Sequence, residues 1–149
     1  MLNGESVVSF TKSGVLDVEL RNFWPPEDGF AWSMDKWCEI AFEYDQDAIS
    51  PQARGEMVLD LDVYKFPPDL LEQSVYIYLN GLRIGARRIS KRATVFIDFA
   101  PGVLAATNTL VIDTPEASSP ARFGQNDERV LGIQLFTLQV RQIAPIAAF

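Results

Sequence analysis

The chain contains no histidine. That absence removes the Ser-His-Asp and Cys-His nucleophile systems, the usual zinc sites and the commonest general base. Catalysis would have to rest on carboxylate, Lys or Tyr chemistry, a smaller set. Cysteine is nearly absent as well: Cys38 stands alone, so no internal disulfide forms. No run approaches the roughly eighteen apolar residues that span a bilayer. The opening Met1-Leu2-Asn3-Gly4-Glu5 has neither a basic nor an apolar leader region. A cytoplasmic protein without membrane insertion is expected. Basic charge is also scarce, with 13 Lys and Arg against 20 Asp and Glu and a net charge of -7. This deficit disfavours nucleic acid and anionic lipid as partners, because both need a cationic footprint. Phosphate loops and dinucleotide fingerprints are missing too: Gly81-x-x-x-Gly85 lacks the pattern, and no Gly-Lys-Ser/Thr occurs.

What is present reads as a globular β-protein. The 149 residues suit one domain spanning 1–149, with a core at about 5–143 and a short apolar tail at 144–149. Apolar alternation recurs in short runs: Ser6 to Phe10, Val15 to Leu20, Ala31 to Met34, Trp37 to Tyr44 and Glu56 to Phe66. It continues in Ser74 to Leu79, Arg83 to Ile89, Ala93 to Phe99, Thr109 to Asp113 and Leu131 to Ile143. In the clearest run Met57, Leu59, Leu61 and Val63 share one face while Asp60, Asp62 and Tyr64 share the other, a period of two. Cys38, Ile40, Phe42 and Tyr44 likewise share a face, which makes Cys38 a buried structural thiol. Asn80-Gly81 separates two strand-like runs and signals a hairpin, since both central positions of a type I′ turn need positive φ. Helix is scarce, with single turns expected at Pro68 to Glu72 and Gly102 to Ala106. Short strands at this spacing indicate an all-β, antiparallel sandwich or barrel rather than βαβ units.

Two long connections, 22–29 and 115–129, are where a rigid sandwich would carry a site. In the first, Trp24 and Trp32 flank an acidic turn containing Glu27. As binding groups, the indoles offer flat faces to a sugar and the carboxylate accepts from its hydroxyls. As scaffold, Trp32 heads into the core and Trp24 caps the sandwich; for Trp32 the core reading is preferred. In the second, Asn126, Asp127 and Arg129 lead into a hydrophobic strand. Arg129 is placed to pair in a bidentate manner with Glu27 or Asp127, which would brace the two loops.

Arg83, Arg87, Arg88, Lys91 and Arg92 fall within ten residues that contain no acid. They form a candidate patch for an anion or an acidic partner, or else a charged edge that discourages sheet-to-sheet pairing. Paired acids of the kind that hydrolyse glycosides also occur, Asp60 with Asp62 and Glu39 with Glu43. Alternating acids are equally what a solvent-facing strand shows.

Trp24, Glu27, Trp32-Ser33, Val75-x-Ile77-x-Leu79-Asn80-Gly81, Ser119-Pro120 and Asp127-x-Arg129-x-Leu131-Gly132-Ile133 form an ordered series. The series resembles the galactose-binding-like β-sandwich domains that accompany bacterial glycosyltransferases and cell-surface polysaccharide proteins. The resemblance spans about residues 14 to 143 and implies a jelly-roll sandwich, with the Trp-Glu-Trp and Asp-x-Arg elements near one end. It lends no catalytic residue.

The expectation is therefore a non-catalytic carbohydrate-associated module, linked to bacterial polysaccharide synthesis, whose partner is a carbohydrate or a glycan-synthesis protein. Its site would comprise Trp24, Glu27, Trp32, Asn126, Asp127 and Arg129. The alternatives are a protein-interaction module using Arg83 to Arg92 with Tyr76 and Tyr78, and a small carboxylate-dependent glycosidase or isomerase. No cofactor is expected: sandwich modules often hold calcium, but no tight Asp-rich loop here demands it.

Overall fold

Residues 1–11 and 17–143 are described by the computed structural model. They form β1 (Val8–Ser9), β2 (Val18–Arg21), β3 (Ala31–Met34), β4 (Trp37–Glu43), β5 (Arg54–Val63), β6 (Gln73–Leu79), β7 (Leu82–Ile89), β8 (Ala93–Phe99), β9 (Thr107–Asp113) and β10 (Leu131–Ile143). Three of the expected strands keep their bounds and the others differ by a few residues at their ends. Val15, and the tail Ala144 to Phe149, lie outside the described residues.

The period of two decides which side chains face inward. On β5, Met57, Leu59, Leu61 and Val63 are buried, and Asp60 and Asp62 point to the opposite face. On β4 the inward set is Cys38, Ile40 and Phe42, with Tyr44 buried just beyond the strand end. Val75, Ile77 and Leu79 of β6 and Leu110 and Ile112 of β9 complete that side of the core. Each such aliphatic side chain stabilises the fold by about 1.5–3 kcal/mol when fully buried, so neither sheet face can turn outward.

All pairings between these ten strands are antiparallel. One sheet runs β2-β4-β9-β6-β7, and the other β1-β10-β5-β8 with β3 also on β10. The result is a two-sheet antiparallel sandwich. Along one edge β10 pairs with β5 throughout, and along its other edge with β3 and then β1. The changeover comes at Phe136, the extra residue of a bulge: Leu135 opposes Leu61 and Thr137 opposes Asp60.

At the expected hairpin Asn80 has φ 52° and Gly81 φ 82°, joining Leu79 to Leu82 in the two-residue turn that the sequence indicates. The two expected helical turns are not formed. Phe66 and Leu70 exchange two backbone hydrogen bonds across Pro67-Pro68-Asp69, closing a tight turn. Gly102, at φ 87°, likewise sits in a turn after Pro101. The reciprocal Phe66–Leu70 pairing and the left-handed Gly102 are both incompatible with a right-handed helical turn. The helical turns present are 3-10 turns at Gln46–Ala48 and Pro120–Phe123, capped by the side chains of Asp45 and Ser119.

Candidate binding face

The outward positions of β3, β10 and β5 line up across the sheet, because register places Trp32 opposite Gln134 and Gln134 opposite Asp62. Adjacent strands are about 4.8 Å apart, so this row spans roughly two strand spacings. Trp32 is half-buried on the outer face, while Ala31 and Ser33 take the inward positions and are fully buried. The reading in which Trp32 enters the core therefore does not hold. The period of two leaves it no inward slot.

Four aromatic rings form a continuous band around this row. Tyr64 meets Trp32 edge-on at 6.4 Å, Trp32 meets Phe30 at 6.2 Å, and Phe30 meets Phe136 at 5.9 Å. These separations and the steep interplanar angles are those of favourable edge-to-face pairs. Phe136 joins the band because the bulge turns it away from its buried neighbour Leu135. The Arg92 guanidinium lies 3.7 Å from the centroid of the Phe136 ring. Its Nε and Nη2 donate to Oδ1 and Oδ2 of Asp60 at 3.1 and 2.9 Å. Asp62 accepts one hydrogen bond, from the backbone N–H of Val63.

The two long connections flank this face and are laced together. Trp24 Nε1 donates to the Val130 carbonyl at 3.2 Å, and the Trp24 N–H donates to the Trp32 carbonyl at 2.9 Å. The Glu27 N–H donates to the Phe30 carbonyl, closing the turn through Gly29. Arg129 binds Asp127 through Nε and Nη2, the shorter contact being 2.7 Å, and its Nη1 is 3.9 Å from Glu27. Asp127 is thus the bidentate partner and Glu27 the looser one. The side-chain and backbone hydrogen bonds from Arg129 hold the Asp127 carboxyl below its ordinary pKa. Burial, with the charge of Asp127, raises the Tyr64 phenol, whose hydroxyl oxygen is buried without a hydrogen-bond partner among the described residues. Asn126 is exposed and makes no side-chain hydrogen bond among the described residues.

Of the six site residues expected from sequence, Trp32 lies on the face itself. Trp24, Glu27, Asp127 and Arg129 brace the loops beside it, and Asn126 stands apart. Sequence reasoning missed Phe30, Gln134 and Phe136 and gave Tyr64 and Asp62 no binding role. Strand alternation marks Tyr64 and Asp62 as outward, but nothing local shows that β10 lies between β3 and β5, and the bulge hides Phe136.

The five basic residues are distributed over several contacts. Arg88 binds Glu72 at 2.6 Å and Ser74 at 2.9 Å, and Arg92 binds Asp60. Arg83 lies over the Tyr76 ring at 5.1 Å. Arg87 donates to the Phe96 carbonyl on β8 at 3.1 Å, and Lys91 is exposed. Glu39 pairs with Arg21 on the other sheet, away from Asp60 and Asp62. Several recesses lie off the aromatic band. One of about 330 Å³ is lined by Val18, Glu19, Ala41 and Phe42, and one of about 300 Å³ by Lys36, Asp69, Glu116, Arg122 and Phe123. Neither gathers more than one aromatic ring, whereas the band offers four.

No family model and no curated protein matches the chain. Its fold is nevertheless that of solved carbohydrate-binding-module sandwiches. It is similar to the CBM22-1 xylan-binding domain of Xyn10C from Paenibacillus barcinonensis, with 9% identity, a TM-score of 0.58, and 98% of this chain and 99% of that one covered. It is similar also to the CBM36-1 domain of a multidomain xylanase from the hindgut metagenome of Trinervitermes trinervoides, with 11% identity, a TM-score of 0.52, and 96% and 98% covered. An acetyl xylan esterase from Butyrivibrio proteoclasticus shares 9% identity at a TM-score of 0.54, with 95% of this chain and 34% of that one covered. The antiparallel two-sheet jelly-roll sandwich expected from the sequence is thus the architecture found. No helix among the described residues is long and apolar enough to cross a membrane.

Proposed function

We propose that the chain is a non-catalytic glycan-binding module whose ligand lies across the outer face of β3, β10 and β5. The observation that carries this reading is the row Trp32-Gln134-Asp62 set within the band of Tyr64, Phe30 and Phe136. Flat rings cover the apolar faces of sugar rings, and an amide with a carboxylate between them fixes the hydroxyls. The likeness in fold to a xylan-binding domain supports the class of ligand. The face is preorganised by strand pairing and by the loop bonds of Trp24 and Arg129, which keeps the entropy cost of binding low.

A glycosidase role for Asp60 and Asp62 is disfavoured by the Arg92 guanidinium on both oxygens of Asp60. With both of its oxygens engaged by one guanidinium, Asp60 is not free to serve as half of a catalytic carboxylate pair.

The test is a binding screen of the purified protein on soluble plant and bacterial polysaccharides. Binding of at least one glycan, weakened about tenfold or more by Trp32→Ala (about 1.4 kcal/mol) while the variant stays folded, is the expected result. A folded protein that binds no glycan, or a Trp32→Ala variant that binds as before, would overturn the reading.

A second reading, a protein-contact surface, is favoured by the outer face of the other sheet. There Trp37, 42% exposed, shares a row with Asp113 and Tyr76 beside the Arg83 guanidinium. Arg87→Glu with Arg88→Glu in a pull-down against candidate partners tests it.

A further inference from the structure

Two guanidiniums and four carboxylates set the charge of the proposed glycan face. Arg92 is bound by Asp60 and also feels the charge of Asp62. Arg129 is bound by Asp127 and has Glu27 at 3.9 Å. Each cation thus serves two acids, and four carboxylates less two guanidiniums leave two negative charges at the face. Lys65, the next cation along β5's exit, has its ammonium on the neutral Ser90 carbonyl and so offsets one of these two charges at most. Asp62 has no salt-bridge partner of its own among the described residues, and it stands beside Gln134 at the β5 end of the row.

A ligand carrying carboxylates or sulfates would meet uncompensated negative charge here, with both guanidinium forks already engaged. A ligand with only hydroxyls would find acceptors in Asp62 and Gln134. An ammonium-bearing sugar would in addition gain a charge-assisted hydrogen bond at Asp62. We propose that the face takes uncharged or amino-sugar glycans and turns away uronate- or sulfate-bearing chains, with Asp62 as the selecting group. The proposal rests on the glycan-binding reading above and adds the charge class of the ligand. The chain's net charge of -7 acts in the same direction at longer range.

The experiment compares xylan, chitosan oligosaccharides and polygalacturonate on the whole protein, at mildly acidic pH where carboxylates stay ionised and amines stay charged. Xylan or chitosan should bind at least about tenfold more tightly than polygalacturonate at low salt, and the gap should shrink as salt screens it. Asp62→Asn should narrow the gap between chitosan and polygalacturonate several-fold. Polygalacturonate binding as tightly as xylan, with both lost on Trp32→Ala, would overturn the charge selection and leave the glycan-binding reading standing. An unchanged gap in Asp62→Asn would remove Asp62 as the selecting group. Failure of folded protein to bind any of the three, or any glycan in the wider screen, would overturn both readings together.

Discussion

The Arg92 guanidinium lies over the Phe136 ring, 3.7 Å from its centroid, while its edge grips the carboxylate of Asp60. The contact joins the residue before β8 to the bulge of β10, which do not pair with each other in the sheet. An exposed cation–π contact contributes about 0.5–1 kcal/mol. A double-mutant cycle of Arg92→Ala and Phe136→Ala, read by urea unfolding, should return a coupling energy of about that size. A coupling indistinguishable from zero would show that the two side chains merely lie close.

Asp127 makes stability depend on pH in the acid range. Its folded-state pKa is lowered, chiefly by the hydrogen bond from Arg129. The unfolded chain therefore takes up the proton first, at the ordinary aspartate value of about 3.9. The stabilisation is present above that value and is lost as pH falls through the lower, folded-state one. Melting temperatures measured from neutral pH downward should drop more steeply for the wild type than for Asp127→Asn, and the two curves should converge at the acid end. Parallel curves would contradict the assignment.

Cys38 makes the complementary prediction at alkaline pH. The thiol is fully buried, and burial, with the charge of Asp113, pushes its pKa far above the usual range. Its folded-state pKa lies above the unfolded value of about 8.5. The contribution is therefore complete below that pH and is lost progressively as pH rises above it. The thiol should resist maleimide in the native protein and react at once in denaturant. Labelling of the native protein at the rate of a free thiol would show that the β4 face opens.

Gly55 on β5 is paired with Phe99 on β8, and a Cβ built on Gly55 would stand 2.0 Å from the Phe99 ring. No side chain fits there. Gly55→Ala should cost about 1–3 kcal/mol through overpacking, and in a Phe99→Leu background the same change should cost measurably less. Equal costs in both backgrounds, read from denaturation midpoints, would place the clash elsewhere.

The strands were legible in the sequence because burial on one face imposes a period of two, which Met57 to Val63 and Val95 to Phe99 display without interruption. The Asn80-Gly81 turn was legible because its dihedral angles admit few residues. The proposed binding face was only partly so. Trp24, Glu27, Trp32, Asp127 and Arg129 stand out as types, yet four of these five prove to brace loops beside the face. The missing half, Gln134 with Phe136, depends on β10 lying between β3 and β5, far from both in the chain, and on one extra residue in its register. Such long-range pairing is set by the whole core. The turns at Pro68 and Gly102 were misread because five residues with helix-compatible side chains look the same whether or not a helix can be nucleated.

The central position of β10 has a consequence for biosynthesis. Trp32 and Asp62 are made early, but the strand that stands between them is the last of the ten to be translated. Until it emerges, β5 lacks one of its two neighbours, and β1 and β3 have no strand in that sheet to pair with. The nascent domain therefore passes most of its synthesis with a half-built sheet, the stage at which unpaired strand edges are most exposed to aggregation and to chaperones. The proposed glycan face comes into being in one step, on release of the final strand.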